Sequence, residues 1–156
     1  MTELSVIAVG DKVPSWIQDG VDSFAKRLPK PYAPTVKTVS AISRKQRDSQ
    51  RCKQEEGDKL LLAVSKGSRI IALDEHGQSW TSKKLAVKLE GWMTSGQDTA
   101  FLIGGADGLS SACLSQAESH WSLSALTFPH ALVRVLLMEQ LYRAWTLINH
   151  HPYHRA

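Results

Sequence analysis

Phe101-Leu102-Ile103-Gly104-Gly105-Ala106-Asp107-Gly108 is a short apolar run that breaks into glycines. An apolar run ended this way reads as a buried strand entering a tight loop. Further on, Leu123-Ser124-Ala125-Leu126-Thr127-Phe128-Pro129-His130 reads as the end of a second strand and a turn. A long apolar helix follows, from about Ala131 to Ile148. Two strand ends, each leading through a loop into a helix, form a crevice at the carboxyl edge of a parallel sheet. Open α/β sheets bind their ligands at that edge. The ligand site is therefore expected in Phe101 to Arg134.

Outward from that stretch, strands and helices alternate. Leu4 to Val9 is a β-branched run ended by Gly10. Pro14 suits the first turn of a helix carrying Trp16, Ile17, Val21, Phe24 and Leu28 at helical spacing, ended by Pro29 and Pro31. Thr35 to Ile42 is expected as the second strand. The basic stretch from Ser43 to Lys53 reads as a loop running into a helix that firms up from Glu55, with Gly67 placed to cap its end. Arg69 to Leu73 is a third strand and Glu75-His76-Gly77-Gln78 a turn. Thr81 or Ser82 caps the next helix, which Gly96 ends. Thr99 to Ile103 is the fourth strand, Ser110 to Glu118 a short helix and Trp121 to Leu126 the fifth strand. Alternation of this kind predicts an α/β fold with a mainly parallel sheet flanked by helices, in one domain over 1–156.

In the last helix, Glu139, Gln140, Arg143 and Thr146 share one sector, and almost everything else is apolar. A helix with so little polar surface is buried on most sides, and a subunit interface is one place to bury it. Arg134 falls on the apolar side and needs a partner there.

Composition narrows the class. A hydrophobic fraction of 42% and a charged fraction of 22% suit a globular protein. Arg44, Lys45, Arg47, Arg51 and Lys53 face only Asp48 within ten residues. Five minus one is +4, which equals the net charge of the whole chain. This segment is either a solvated helix face or a surface for nucleic-acid phosphates. Cys52 and Cys113, without CxxC spacing, indicate neither a disulfide framework nor a zinc ribbon, and a reducing cytoplasm fits. No secretory signal is visible, and no apolar run reaches the ~20 residues of a membrane span.

The motifs carry competing readings. Gly104-Gly105-x-x-Gly108 lets a backbone approach a ligand, or merely makes a turn. It is neither a Walker loop nor a dinucleotide fingerprint. Thr127 is placed either to cap the last helix or to stand beside free N–H groups that suit an anion. The tail His150-His151-Pro152-Tyr153-His154-Arg155 holds three histidines, but no acid or cysteine stands near to complete a metal site, and none is expected. Its Tyr, His and Arg side chains suit RNA, or else the tail is a frayed terminus.

Several of these segments together carry a resemblance over essentially the whole chain. They are Val6-x-Ala8-Val9-Gly10, Leu102-Ile103-Gly104-Gly105-x-x-Gly108-Leu109-Ser110, Trp121 to His130, Leu132-Val133-Arg134-Val135, Tyr142-Arg143-Ala144-Trp145 and His151-Pro152-Tyr153-His154-Arg155. In order and spacing the chain resembles the bacterial pseudouridine N3-methyltransferases of large-subunit ribosomal RNA, of the SPOUT class. The resemblance implies an α/β fold with a C-terminal trefoil knot, a cytoplasmic homodimer, and S-adenosylmethionine as methyl donor. It implies 23S ribosomal RNA, within the large subunit or the whole ribosome, as partner. Carried over, the cofactor-binding residues are Leu73, Gly104, Gly105, Leu123, Ser124, Ala125, Leu126, Thr127 and Phe128. Tyr153, His154, Arg155 and Arg143 are the catalytic candidates, with His154 expected as base or proton relay. Two positions depart from the usual pattern: Ala106 where proline is common, and Asp107 where glutamate is common. The competing reading is a non-catalytic ribosome- or RNA-binding protein with a degenerate pocket. A basic α/β protein for another nucleotide fits less well, because no phosphate-binding loop is present.

Overall fold

The central strand is β4, Thr99–Ile103, buried at every position. It pairs in parallel with β1 (Leu4–Val9) on one side and β3 (Arg69–Ser79) on the other, within a five-stranded sheet of order β2-β1-β4-β3-β5. The strand β2 is Thr35–Val39 and β5 is Ser119–Ser122, and both pair in parallel with their neighbours. The computed structural model describes residues 2–45 and 48–155 and, for His154 and Arg155, the backbone alone.

Alternation along the strands sorts the core into two halves. Val6, Ala8, Ile71, Phe101 and Ile103 face α1 (Ser15–Arg27), α3 (Ser82–Thr94) and α5 (His130–Ile148). Ile7, Val9, Ala72 and Leu102 face α2 (Ser49–Ala63) and the short α4 (Ser111–Gln116). A sheet covered on both faces explains the near-continuous apolar strands. A short 3-10 helix, Pro152–Arg155, closes the chain.

The register sets the functional edge. Ile103, the last residue of β4, stands opposite both Ala8 and Leu73, so β1 ends one residue further on and β3 begins its bulge at the same level. Gly10 and Gly104 follow β1 and β4 directly, and Asp74 opens the bulge of β3.

Several boundaries differ from the sequence expectation. Glu75–Gln78 is a bulge, not a turn: β3 continues to Ser79, and Leu73 and Gln78 both pair with Trp121. Gly77 permits this, since a Cβ there would lie 2.5 Å from the His120 carbonyl. β5 ends at Ser122 instead of Leu126. The Ser122 hydroxyl donates to the Ser124 carbonyl (2.8 Å) and the Leu126 amide to Ser124 Oγ (3.0 Å), which replaces the ladder with local turns. β2 stops at Val39, and the Ile42 amide donates to Glu56 instead of to a strand. α2 begins at Ser49, earlier than its apolar pattern suggests, because Asp48 accepts from the Gln50 amide. It ends at Ala63, so Gly67 caps no helix and lies in the following turn at φ +83°. In α5, Thr146 is fully buried and donates to the Arg143 carbonyl, so it belongs to no solvated face. Among the described residues, no helix is long and apolar enough to cross a membrane.

Candidate functional site

A crevice of about 730 Å³ opens at the carboxyl ends of β3 and β4. Leu73 and Ile103 close its base, Gly104 and Gly105 form one wall, and the irregular segment after β5 forms the other. That segment contributes Leu123, Ser124, Leu126, Thr127 and Phe128, while Ala125 points no atoms into the crevice and is exposed. All the other residues expected to bind a cofactor are therefore brought together. The walls are largely apolar, with Asp74 and Glu75 on the rim.

The glycines have separable reasons. The loop folds back so that Gly105 and Gly108 form an antiparallel bridge, with Gly108 at φ +81°. A Cβ on Gly104 would lie 2.4 Å from the Gly108 carbonyl carbon. Gly104 is thus demanded by the turn itself. A Cβ on Gly105 would approach Val9 at 3.0 Å and the Glu56 carboxylate at 3.2 Å.

Thr127 does not cap α5. Its hydroxyl donates to Glu75 Oε2 (3.1 Å), tying the wall after β5 to the β3 bulge. Pro129 holds the N-cap position instead, with no side-chain cap. His130 follows on the crevice lining, its imidazole pushed below its ordinary pKa by local burial and then by the Arg134 charge. Arg134 is 4% exposed, and its partners are backbone carbonyls: Nη2 donates to Val9 O (2.9 Å) and Gly10 O (2.6 Å).

The basic segment is not uniformly free for phosphate. Arg44 donates through Nη1 to Glu56 Oε2 and the Ile42 carbonyl, through Nη2 to Glu56 Oε1 (2.9 Å), and through Nη2 and Nε to Asp107 Oδ2 (2.9 and 3.2 Å). The hydrogen bond to Glu56 above all drives its pKa up. Arg51 and Lys53 lie on α2, and Lys53 lines the crevice. Arg47 lies outside the described residues.

Two of the catalytic candidates, Tyr153 and Arg143, form a second cluster. The Tyr153 hydroxyl donates to Glu139 Oε2 (2.9 Å), and Arg143 pairs with the same oxygen through Nη2 (2.8 Å) and Nε (3.1 Å). The Arg143 guanidinium stands 5.2 Å over the Tyr153 ring, and Tyr142 packs against that ring edge-on. Burial, then the hydrogen bond to Glu139, raises the Tyr153 pKa. The side chains of His154 and Arg155 lie outside the described residues. Neither Tyr153 nor Arg143 lines the crevice. Arg143 stands thirteen helical steps beyond His130, roughly 20 Å at 1.5 Å per residue.

Sequence reasoning missed Glu56 and Glu139. Cys52, Glu56 and Leu60 lie four residues apart on the buried side of α2, and an acid on such a stripe was the available signal.

The family model described as "Predicted SPOUT methyltransferase" matches residues 2–154. The chain belongs to the SPOUT methyltransferase family. Two relatives named ribosomal RNA large subunit methyltransferase H are close in sequence. That of Saccharophagus degradans is 49% identical over 98% of this chain and 99% of its own, and that of Nitrosococcus oceani 49% identical over 97% of each. Among solved structures, the A. aeolicus TrmH/SpoU tRNA modifying enzyme aligns with TM-score 0.54 at 12% identity, over 97% of this chain and 79% of that one. A probable methylase family protein from Haemophilus influenzae gives 0.54 at 15%, over 97% and 68%. At these identities the solved structures share the fold of this SPOUT methyltransferase and nothing finer. Among its described residues, no group of three or more His, Cys, Asp or Glu side chains could hold a metal ion.

Proposed function

We propose that this chain is an S-adenosylmethionine-dependent methyltransferase that modifies N3 of a pseudouridine in 23S ribosomal RNA, in the cytoplasm and on the assembled large subunit or ribosome. The observation that carries the reading is the crevice, where Leu73, the Gly104–Gly105 loop and the Leu123–Phe128 segment converge. Relatives close to half identical over the full length bear the name of ribosomal RNA methyltransferases.

The residues present fit such a donor. Apolar Leu73, Leu123, Leu126 and Phe128 suit an adenine ring, the glycine backbone lining the crevice suits close approach, and Asp74 and Glu75 suit hydroxyl and cationic groups. The volume lies within the usual range for small-molecule sites. When bound, the donor supplies an activated methyl on a sulfonium. The protein's part is to align it with N3 and to take up the N3 proton. His154 is the base or relay in this account. Tyr153, held as a donor to Glu139, orients the tail, and Arg143 and Arg155 are the candidates for contact with the RNA.

The same reading includes a homodimer and a C-terminal trefoil knot. In one chain the tail cluster stands far from the crevice, so a partner's tail is needed over it. Half-buried Leu132, Leu136, Leu147 and Ile148 on α5 offer the apolar surface for that contact. The knot is supported by the path of the chain. From edge strand β5, the segment after Ser122 returns across the sheet, α5 packs on α1 and α3, and Arg134 reaches the end of β1.

Calorimetric titration with S-adenosylmethionine, beside its demethylated product, tests the reading. Micromolar binding of both, one per protomer, is expected. A folded dimer that binds neither, with and without ribosomes, contradicts it and favours a non-catalytic ribosome-binding protein.

A further inference from the structure

Glu56 is 1% exposed and lies directly beneath the glycine loop, 3.2 Å from where a Gly105 Cβ would stand. A buried carboxylate needs hydrogen bonds and a counter-charge. Both come from the segment before α2: the Ile42 amide donates at 2.9 Å and the Arg44 guanidinium pairs with both oxygens. The fork of Arg44 is not exhausted there. Nη2 and Nε turn outward to Asp107, in the middle of the Gly104–Gly108 loop. Asp107 lines the crevice and is one-third exposed, whereas Glu56 is sealed. The loop is also gripped from below, because Gly57 brings α2 so close to Ser110 that a Cβ would lie 2.1 Å from its hydroxyl. A single arginine therefore joins a fixed helix to the one part of the loop that its own bridge leaves projecting.

We propose that Glu56 and Arg44 are positioning residues of the methyl-donor site, holding the Gly104–Gly108 loop through Asp107 in the shape that receives the donor. The proposal rests on the crevice being the donor site. Neither Glu56 nor Arg44 touches the reacting atoms; they act through the loop. Ion pairing of this bidentate kind needs the planar fork, so lysine is not an equivalent at position 44. A longer carboxylate at position 107 is, because the outer pair is near solvent and free to adjust.

The test compares wild type with Asp107→Asn, Asp107→Glu, Arg44→Lys and Glu56→Gln. It measures affinity for S-adenosylmethionine and for the demethylated product, donor KM and kcat on ribosomes, and Tm of the free protein. Asp107→Asn, the variant least able to disturb folding, is expected to weaken both ligands roughly tenfold, the scale of one charge-assisted hydrogen bond. Donor KM rises with it, kcat at saturation stays within about twofold, and Asp107→Glu restores affinity. Arg44→Lys loses affinity despite keeping its charge. Glu56→Gln loses at least as much, provided its circular dichroism shows it folded. Weakening of the cationic donor alone, with the neutral product unaffected, would mean a simple charge effect and overturn the positioning role. So would wild-type affinity in both Asp107→Asn and Arg44→Lys. A wild-type protein that binds neither ligand would overturn the crevice reading itself, a result distinct from equal affinity across the series.

Discussion

The Arg134 guanidinium donates to the carbonyl oxygen of Gly10 over 2.6 Å, pinning the helix that follows the last strand to the end of the first. A second bond from the same nitrogen reaches Val9. Gly10 sits at φ +108°, and a Cβ there would lie 3.3 Å from that nitrogen, so the two residues occupy one close contact.

Arg134→Met should therefore cost about 2–4 kcal/mol, because a buried carbonyl at Val9 and a partly buried one at Gly10 lose a charged donor. Urea unfolding of wild type, Arg134→Met and Arg134→Lys measures this, with lysine intermediate. A loss below about 0.5 kcal/mol would show that the contact contributes little.

Gly104→Ala places a methyl against the Gly108 carbonyl, where no shift of a flexible side chain relieves it. Backbone must move, and a loss of about 1–3 kcal/mol is expected from overpacking of this kind. Donor affinity should fall with it. Unchanged Tm and donor affinity would mean that the loop does not close on Gly104 in solution.

The raised pKa of Tyr153 fixes a sign in alkali. Below an unfolded value of about 10 the phenol is protonated in both states and the Glu139 hydrogen bond contributes fully. As pH rises past that value the unfolded chain loses its proton first, so this contribution is lost as pH climbs through the higher folded pKa. Phenolate absorbance should show a late-titrating component that Tyr153→Phe removes. A titration curve left unchanged by Tyr153→Phe at its late end would contradict the Tyr153–Glu139 bond.

A mixed dimer separates shared sites from separate ones. Gly105→Trp drives a side chain against Val9 and Glu56 and displaces the loop that walls the crevice, and His154→Ala removes the proposed base. If one protomer's tail serves its partner's crevice, a one-to-one mixture recovers roughly a quarter of wild-type turnover, because half the dimers are mixed and each holds one intact site. If each site is built from one chain, the mixture stays as inactive as its parents.

The strands were legible where burial is simple. Thr99 to Ile103 is apolar because it lies between two strands and beneath two helix layers, and its sequence says so. Gly77 was misread because a bulge and a turn use the same residues, and only the approach of His120 distinguishes them. Thr127 looks like a cap until Glu75, distant in sequence, claims its hydroxyl. Glu56 could not be assigned from composition, since its partners lie on a preceding segment and its neighbour Gly105 on a loop far along the chain. The crevice was legible as motif. Its separation from Tyr153 and Arg143 depends on the length of α5 and became visible only in three dimensions.

Methyl transfer to ribosomes reports the proposed reaction itself. Purified protein is incubated with ribosomes lacking the modification and with methyl-labelled S-adenosylmethionine, and the 23S RNA is digested and its nucleosides separated by mass spectrometry. The account predicts one labelled nucleoside, a pseudouridine methylated at N3, absent when Gly105→Trp replaces wild type. Label on another nucleoside would contradict the assigned position, and no label from a protein that binds the donor would contradict the assigned substrate.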